Sequence, residues 1–233
     1  MGLIKAAINS VGGVLADQWK EFFVCESLDA DTLMAKGEKH KGKRSSNNGD
    51  DNIISNGSVI SVADGQCAII VESGKVVELT AEPGAFTYDK SSEPSIFTGD
   101  HGNNIIDIFG EIGRRFSFGG DTGKDQRVYY INTKEITGNK YGTPGDVPFK
   151  VVDQASGLNL LVRIRCFGQY SYRITNPILF YTNVAGNAAD VYTRDQIDSQ
   201  LKTELLTALQ PAFARISAQH IDYTELPGRT MEL

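Results

Sequence analysis

The stretch Gly119-Gly120-Asp121-Thr122-Gly123-Lys124-Asp125 places glycines beside a lysine, as a phosphate-binding loop does. Such a loop needs glycine-freed backbone N–H groups, a lysine on the phosphates and a Ser or Thr hydroxyl on Mg²⁺. Here the position five before Gly123 is Phe118, and the hydroxyl position is Asp125, whose charge adds to that of Asp121 in repelling phosphate. A glycine turn leading into a strand over Arg127–Asn132 accounts for the stretch, and nucleotide binding is rejected. The histidines, His40, His101 and His220, lie apart without HxxxH or HExxH spacing and read as exposed or locally bonded rather than as metal ligands. Cys25, Cys67 and Cys166 are distant and odd in number, which argues against a disulfide framework and against a CxxC metal site, and for a reducing compartment. Arg173 is catalytic only if acidic or nucleophilic partners converge on it; alone it reads as a surface or structural arginine. No catalytic, cofactor-binding or metal-binding residue is assigned.

The elements that would position any site centre on Val59–Tyr88, which reads as one long β-hairpin. Gln66–Glu72 and Lys75–Leu79 are apolar, β-branched runs separated by Ser73 and Gly74, a spacing that calls for a tight turn with Gly74 at positive φ. Asp64-Gly65 and Pro83-Gly84 mark turns on either side. A chain of 233 residues, 40% hydrophobic and 22% charged, fits a soluble globular protein with a sizeable core. Its net charge of -6 excludes nucleic acid as a partner unless a basic patch is localised. No apolar run is long enough for a spanning helix, and a secretory signal core is not evident.

From the start of the chain, residues 1–24 read as an amphipathic helix. Ile4, Ile8, Val11, Leu15, Trp19 and Phe22 fall on one stripe. Burying each would contribute about 1.5–3 kcal/mol before ordering entropy. The stripe either packs on the chain's own domain or another subunit, or lies on a membrane or a membrane-bound partner. Leu28–Lys36 reads as a short strand. Residues 37–57 read as a solvated, mobile loop holding the basic cluster Lys39, Lys41, Lys43 and Arg44. Asn104–Arg115 reads as a short helix. Leu158–Cys166 reads as a half-buried strand with Leu158, Leu160, Val162, Ile164 and Cys166 on one face, opposite Asn159, Arg163 and Arg165. The last helix is expected over about 194–219, with Thr193 and Gln196 as a capping box and a bend or break at Pro211. Its main apolar face is Ile197, Leu201, Leu205, Ala208, Ala212 and Ile216. Leu206 and Phe213 stand to one side, one heptad apart, as candidates for self-assembly.

The order strand, Asp64-Gly65-Gln66, apolar strand, Gly74-Lys75, strand, Pro83-Gly84 resembles the opening of SPFH (band 7, prohibitin-homology) domains, found in stomatins, prohibitins and flotillins. Tyr170–Tyr181, YSYRITNPILFY, is similar to the segment in which a long strand of that domain ends at an Asn-Pro turn before a short helix. More narrowly, the chain resembles bacterial virion core protein-like members linked to phage-shock-type envelope stress systems, over Gly2 to about Pro227. The resemblance implies an α+β fold: a mixed, largely antiparallel SPFH/band 7-like sheet over 25–233, with the N-terminal helix and a C-terminal helix packed on it.

It further implies a non-enzymatic scaffold or adaptor, cytoplasmic and peripheral at the inner face of the membrane. Its expected partners are copies of itself, a phage-shock-type membrane protein and the membrane surface, with no cofactor and no nucleic acid. Relatives usually continue into a long helical segment and often a cysteine-rich zinc ribbon, whereas this sequence ends at Leu233 without paired cysteines. The expectation for this short form is therefore a monomer or weak dimer at micromolar concentration. The alternatives are a hydrolase or transferase with an unrecognised site, and a soluble ligand-binding domain.

Overall fold

In a computed structural model of the chain, residues 21–41, 52–55, 57–88, 125–153, 157–186, 190–219 and 228 are described. The strands are β1 (Glu21–Val24), β2 (Thr32–Lys36), β3 (Glu38–Lys41), β4 (Val59–Val62), β5 (Gln66–Glu72), β6 (Lys75–Thr80), β7 (Gly84–Thr87) and β8 (Gln126–Asn132). They are followed by β9 (Ile136–Gly142), β10 (Val147–Asp153), β11 (Leu158–Ile164) and β12 (Phe167–Tyr172). Helix α1 (Pro177–Phe180) runs into a π-helical turn (Tyr181–Ala185), then come β13 (Val191–Thr193) and α2 (Asp195–Ala218). The described residues form two compact units: one holds those up to Glu135 together with those of Arg173–Thr193, and the other holds those of Ile136–Tyr172 with those from Arg194 onward.

The first unit is built on the expected hairpin. Ser73 and Gly74 both take positive φ, 50° and 82°, the backbone of a two-residue turn whose twist matches the flanking strands. β5 and β6 pair from Glu72↔Lys75 outward, and the same two arms continue as β4 and β7, paired from Val62↔Gly84 to Val59↔Thr87. The hairpin crosses between sheets as it runs. β4 and β7 belong to a sheet of order β3-β1-β4-β7, whereas β5 and β6 belong to one of order β13-β2-β8-β5-β6. All pairings are antiparallel except β1 with β4. A mixed, largely antiparallel architecture was the expectation, and it holds.

Between the two sheets lie Phe23, Ile60 and Val62 from one, and Ala68, Ile70, Val128 and Tyr130 from the other. The opposite parity of β5 and β8, Cys67, Ile69, Tyr129 and Ile131, is equally buried. Tyr181 of the π-helical turn meets Tyr129 with ring centroids 5.6 Å apart. Because both faces of β5 are covered, its sequence is a continuous apolar run rather than an alternation. Two polar groups inside this core are matched: the Tyr130 hydroxyl donates to the Phe23 carbonyl at 3.0 Å, and Gln66 Nε2 donates to the Cys25 carbonyl at 3.0 Å.

Two expectations for the N-terminal part are corrected. Glu21–Val24, the end of the helix expected over 1–24, is a strand, so Phe22 is a half-buried strand residue rather than the last member of a helical stripe. Aromatic and β-branched side chains suit a half-buried pleated strand, and β3 and β4 supply partners on both edges. The loop expected over 37–57 is a strand at Glu38–Lys41, antiparallel to β1. Ile4, Ile8, Val11, Leu15 and Trp19, the helix expected over Asn104–Arg115, and the glycine stretch up to Lys124 lie outside the described residues.

Those corrections share one cause, an inward-facing charge. The Glu21 side chain has no exposed surface, and Lys39, 6% exposed, reaches it at 3.0 Å. The second carboxylate oxygen accepts from the Ser55 N–H at 2.8 Å and the Ser58 hydroxyl at 2.9 Å, while Lys39 also donates to the Ile53 carbonyl at 2.9 Å. Burial pushes the Glu21 carboxyl up, but the hydrogen bonds from Ser55, Lys39 and Ser58, with the charge of Lys39, hold it below its usual value. Removing one partner of a buried pair leaves an uncompensated charge, so Glu21→Gln is expected to cost about 3 kcal/mol in chemical denaturation, and Glu21→Met with Lys39→Met markedly less. A carboxyl with a depressed folded pKa stabilises above its unfolded value. The stability difference between wild type and Glu21→Gln should therefore be complete at neutral pH and shrink as pH falls below 4.5 toward the lower folded value.

Candidate interaction surfaces

The second unit is a long two-stranded ribbon with one helix on it. β9 pairs with β12 and β10 with β11, and Thr143 continues the ladder between them, its N–H donating to the Cys166 carbonyl at 2.8 Å. Residues between Thr143 and Val147 have fewer counterparts on the other arm, so the ribbon bulges there. Helix α2 runs along it. Leu209, Ala212, Phe213 and Ile216 are its buried residues, and Ile216 packs with Phe149 and Val151 of β10.

This placement revises the expected faces of the helix. Phe213, expected on an uncovered second face, is 4% exposed within its own unit, and Leu206 is half-buried. Both line a shallow groove of about 230 Å³ between α2 and the Thr143–Val147 bulge, together with Leu209 and Gln210. Ala208, expected on the main stripe, is exposed. The rest of the main stripe holds, with Ala212 and Ile216 buried and Ile197, Leu201 and Leu205 half-buried, and Leu209 and Phe213 join it in the core. The helix also continues unbroken through Pro211. Only the one N–H is lost, and Ala212, Phe213 and Ile216 anchor the turns beyond it.

A network of polar side chains in this unit holds the start of α2. Asp198 accepts from Arg194 Nε at 2.9 Å and from the Tyr172 hydroxyl at 3.1 Å, and Arg194 also donates to Asn139. Asn139 Nδ2 in turn donates to the carbonyls of Ile136 at 2.9 Å and Tyr170 at 3.1 Å. Burial and then the charge of Asp198 push the Tyr172 hydroxyl up. Asp146 pairs with Arg165 at 2.6 Å. In the first unit, burial pushes the Cys67 thiol up to about 12, so it is a poor nucleophile. Arg173 is exposed, and among the described residues no cluster of three His, Cys, Asp or Glu could hold a metal.

The ribbon leaves several large apolar side chains exposed. Leu158 is 47%, Leu160 50%, Leu161 70% and Phe167 86% exposed. The alternation in β11 located Val162 and Ile164, which pack on the α2 cluster, but it passed over Leu161. The signal was present in Leu160-Leu161, where an apolar residue enters the polar parity of the strand. A short helix follows the Asn176-Pro177 turn as the resemblance implied, and Asn176 caps it, its side chain accepting from the Leu179 N–H at 3.0 Å.

The model of the SPFH domain-Band 7 family matches residues 47–233. No curated protein matches the chain, and no solved structure does.

Because Phe213 belongs to the core of its unit, Phe213→Ala should lower the unfolding free energy by about 3 kcal/mol, whereas Leu206→Ala should cost about 1 kcal/mol. Equal, small effects in denaturant titrations would return Phe213 to the surface.

Proposed function

Since the chain belongs to the SPFH domain-Band 7 family, generally membrane-associated scaffolds, we propose that it is a non-enzymatic adaptor organising partner proteins at the inner face of a bacterial membrane. The observation that carries this reading is the set of exposed apolar side chains of the second unit: Leu158 and Leu160 on one face of β11, Leu161 on the face of Arg163 and Arg165, and Phe167 at the start of β12. Solvent-facing leucines grouped on one element mark an interaction surface rather than a core. The acid–base groups support it too, since Glu21 and Asp198 are each spent on ion pairs that hold strands and helix in place.

No helix among the described residues is long and apolar enough to cross a membrane. We propose that attachment is made by the sequence stripe Ile4, Ile8, Val11, Leu15 and Trp19, acting peripherally on lipid or on a membrane-bound protein. A phage-shock-type membrane protein is the partner that the sequence resemblance favours. Nucleic acid is disfavoured by the net charge of -6. In cell fractionation, Ile8→Asp with Leu15→Asp should move the protein from the membrane to the soluble fraction without changing its melting temperature. A variant that stays with the membrane refutes the attachment, and one that loses thermal stability makes the stripe part of the core.

A further inference from the structure

The two long edges of the β10–β11 ribbon are treated differently. Ser217 of α2 accepts from the Lys150 N–H at 3.1 Å and donates to the Lys150 carbonyl at 3.2 Å. Lys150 thus turns its backbone groups away from Leu161, its partner in register, which makes 148, 150 and 152 the outward positions of β10. Of these, Pro148 has no N–H and Lys150 is taken by Ser217. By the same alternation the outward positions of β11 are Asn159, Leu161 and Arg163. Among the described residues nothing pairs with them, because β10–β11 is a two-stranded sheet.

We propose that the outer edge of β11 is a docking edge for the same strand of a second copy, antiparallel and centred on Leu161. Three features of the strand select this occupant. A two-fold at Leu161, the midpoint of Leu158–Ile164, pairs the whole strand and sets outward groups against outward groups, as an antiparallel ladder requires. It also brings Val162 and Ile164 of one copy beside Leu160 and Leu158 of the other, on the face where α2 covers the first pair and leaves the second half-exposed. Finally, each Arg163 stands opposite Asn159 and each Arg165 opposite Gly157, so no like charges meet. A partner strand offering arginine or lysine at the position of Asn159 would lose that match.

Seven residues of ladder bury well under the ~1,200 Å² of a stable complex, so the pairing is weak in free solution. It deepens the scaffold reading and rests on it for biological effect, because copies confined to a membrane meet at effective concentrations near the millimolar range. Sedimentation velocity of the 233-residue protein, from about 10 µM to about 1 mM, should show a reversible dimer.

The charge at position 159 then decides the register. Asn159→Glu places two carboxylates opposite Arg163 and should tighten the dimer about threefold to tenfold, although it makes an acidic protein more acidic. Asn159→Lys should weaken it by a similar factor, and Leu161→Pro, which deletes the central N–H, should abolish it. Should Leu161→Pro misfold, the opposed pair at 159 still reads the interface. A protein that is monomeric throughout, or in which both charges at 159 shift the dimer the same way, overturns the pairing. Membrane fractionation of the same samples separates the two ideas: a monomer that still sediments with membranes sinks this interface alone and leaves the scaffold standing.

Discussion

A carboxylate with no exposed surface, Glu21, determines how the first unit is assembled. A charge in that position has only two outcomes, neutralisation or a partner, and here the partner comes from β3, which must therefore lie alongside β1. The same carboxylate gathers Ser55 and Ser58, and Lys39 gathers Ile53, so the segment leading into β4 is pinned to the edge of the sheet by polar bonds. Ile54 is carried into the core between those anchors. Such a pair adds little net stability over an apolar pair of equal size, but mispairing would leave a bare charge inside. Its effect is to penalise every register of β1 and β3 except this one.

Register in the rest of that unit propagates from the Ser73-Gly74 turn. A two-residue turn leaves the arms no freedom to slip, and a slip by one residue would exchange Ala68 and Ile70 for Cys67 and Ile69 on the face toward the other sheet. Irregularities in the ladder, one between Ile70 and Val71 and another where the arms leave one sheet for the other, let a single hairpin serve both sheets. Local turn chemistry and the long-range ion pair act on different strands and agree on one arrangement.

That division also explains what was legible in the sequence. Turns and runs governed by neighbours in the chain, such as Gly65, Ser73-Gly74, Asn176-Pro177 and the β5 run, could be read directly, because their causes lie within a few residues. The strands β1 and β3 could not. Glu38–Lys41 is charged along its length, and nothing local shows that Lys39 will find Glu21. Phe213 failed for a related reason: it lies next to the main apolar stripe of α2, and only the ribbon that the helix rests on shows that the buried face is wide enough to include it. Leu161 was hidden in an alternating pattern whose period was right and whose burial depended on how far a helix would reach.

The limited reach of that helix is the physical source of the exposed surface. A two-stranded ribbon is marginal alone and needs something apolar against it. α2 provides this through Ile216 against Phe149 and Val151, and it closes one edge with Ser217. A single helix is narrower than the ribbon is long, and it cannot occupy both edges. Among the described residues nothing else covers Leu158 and Leu160 at the turn end or the backbone of Asn159, Leu161 and Arg163. Arg163 and Arg165, 80% and 73% exposed, keep this strand from pairing indiscriminately, since a foreign strand must present nothing positive opposite them. The edge is thus open but selective, a combination that an adaptor can use and that a stability-driven fold would have no reason to keep.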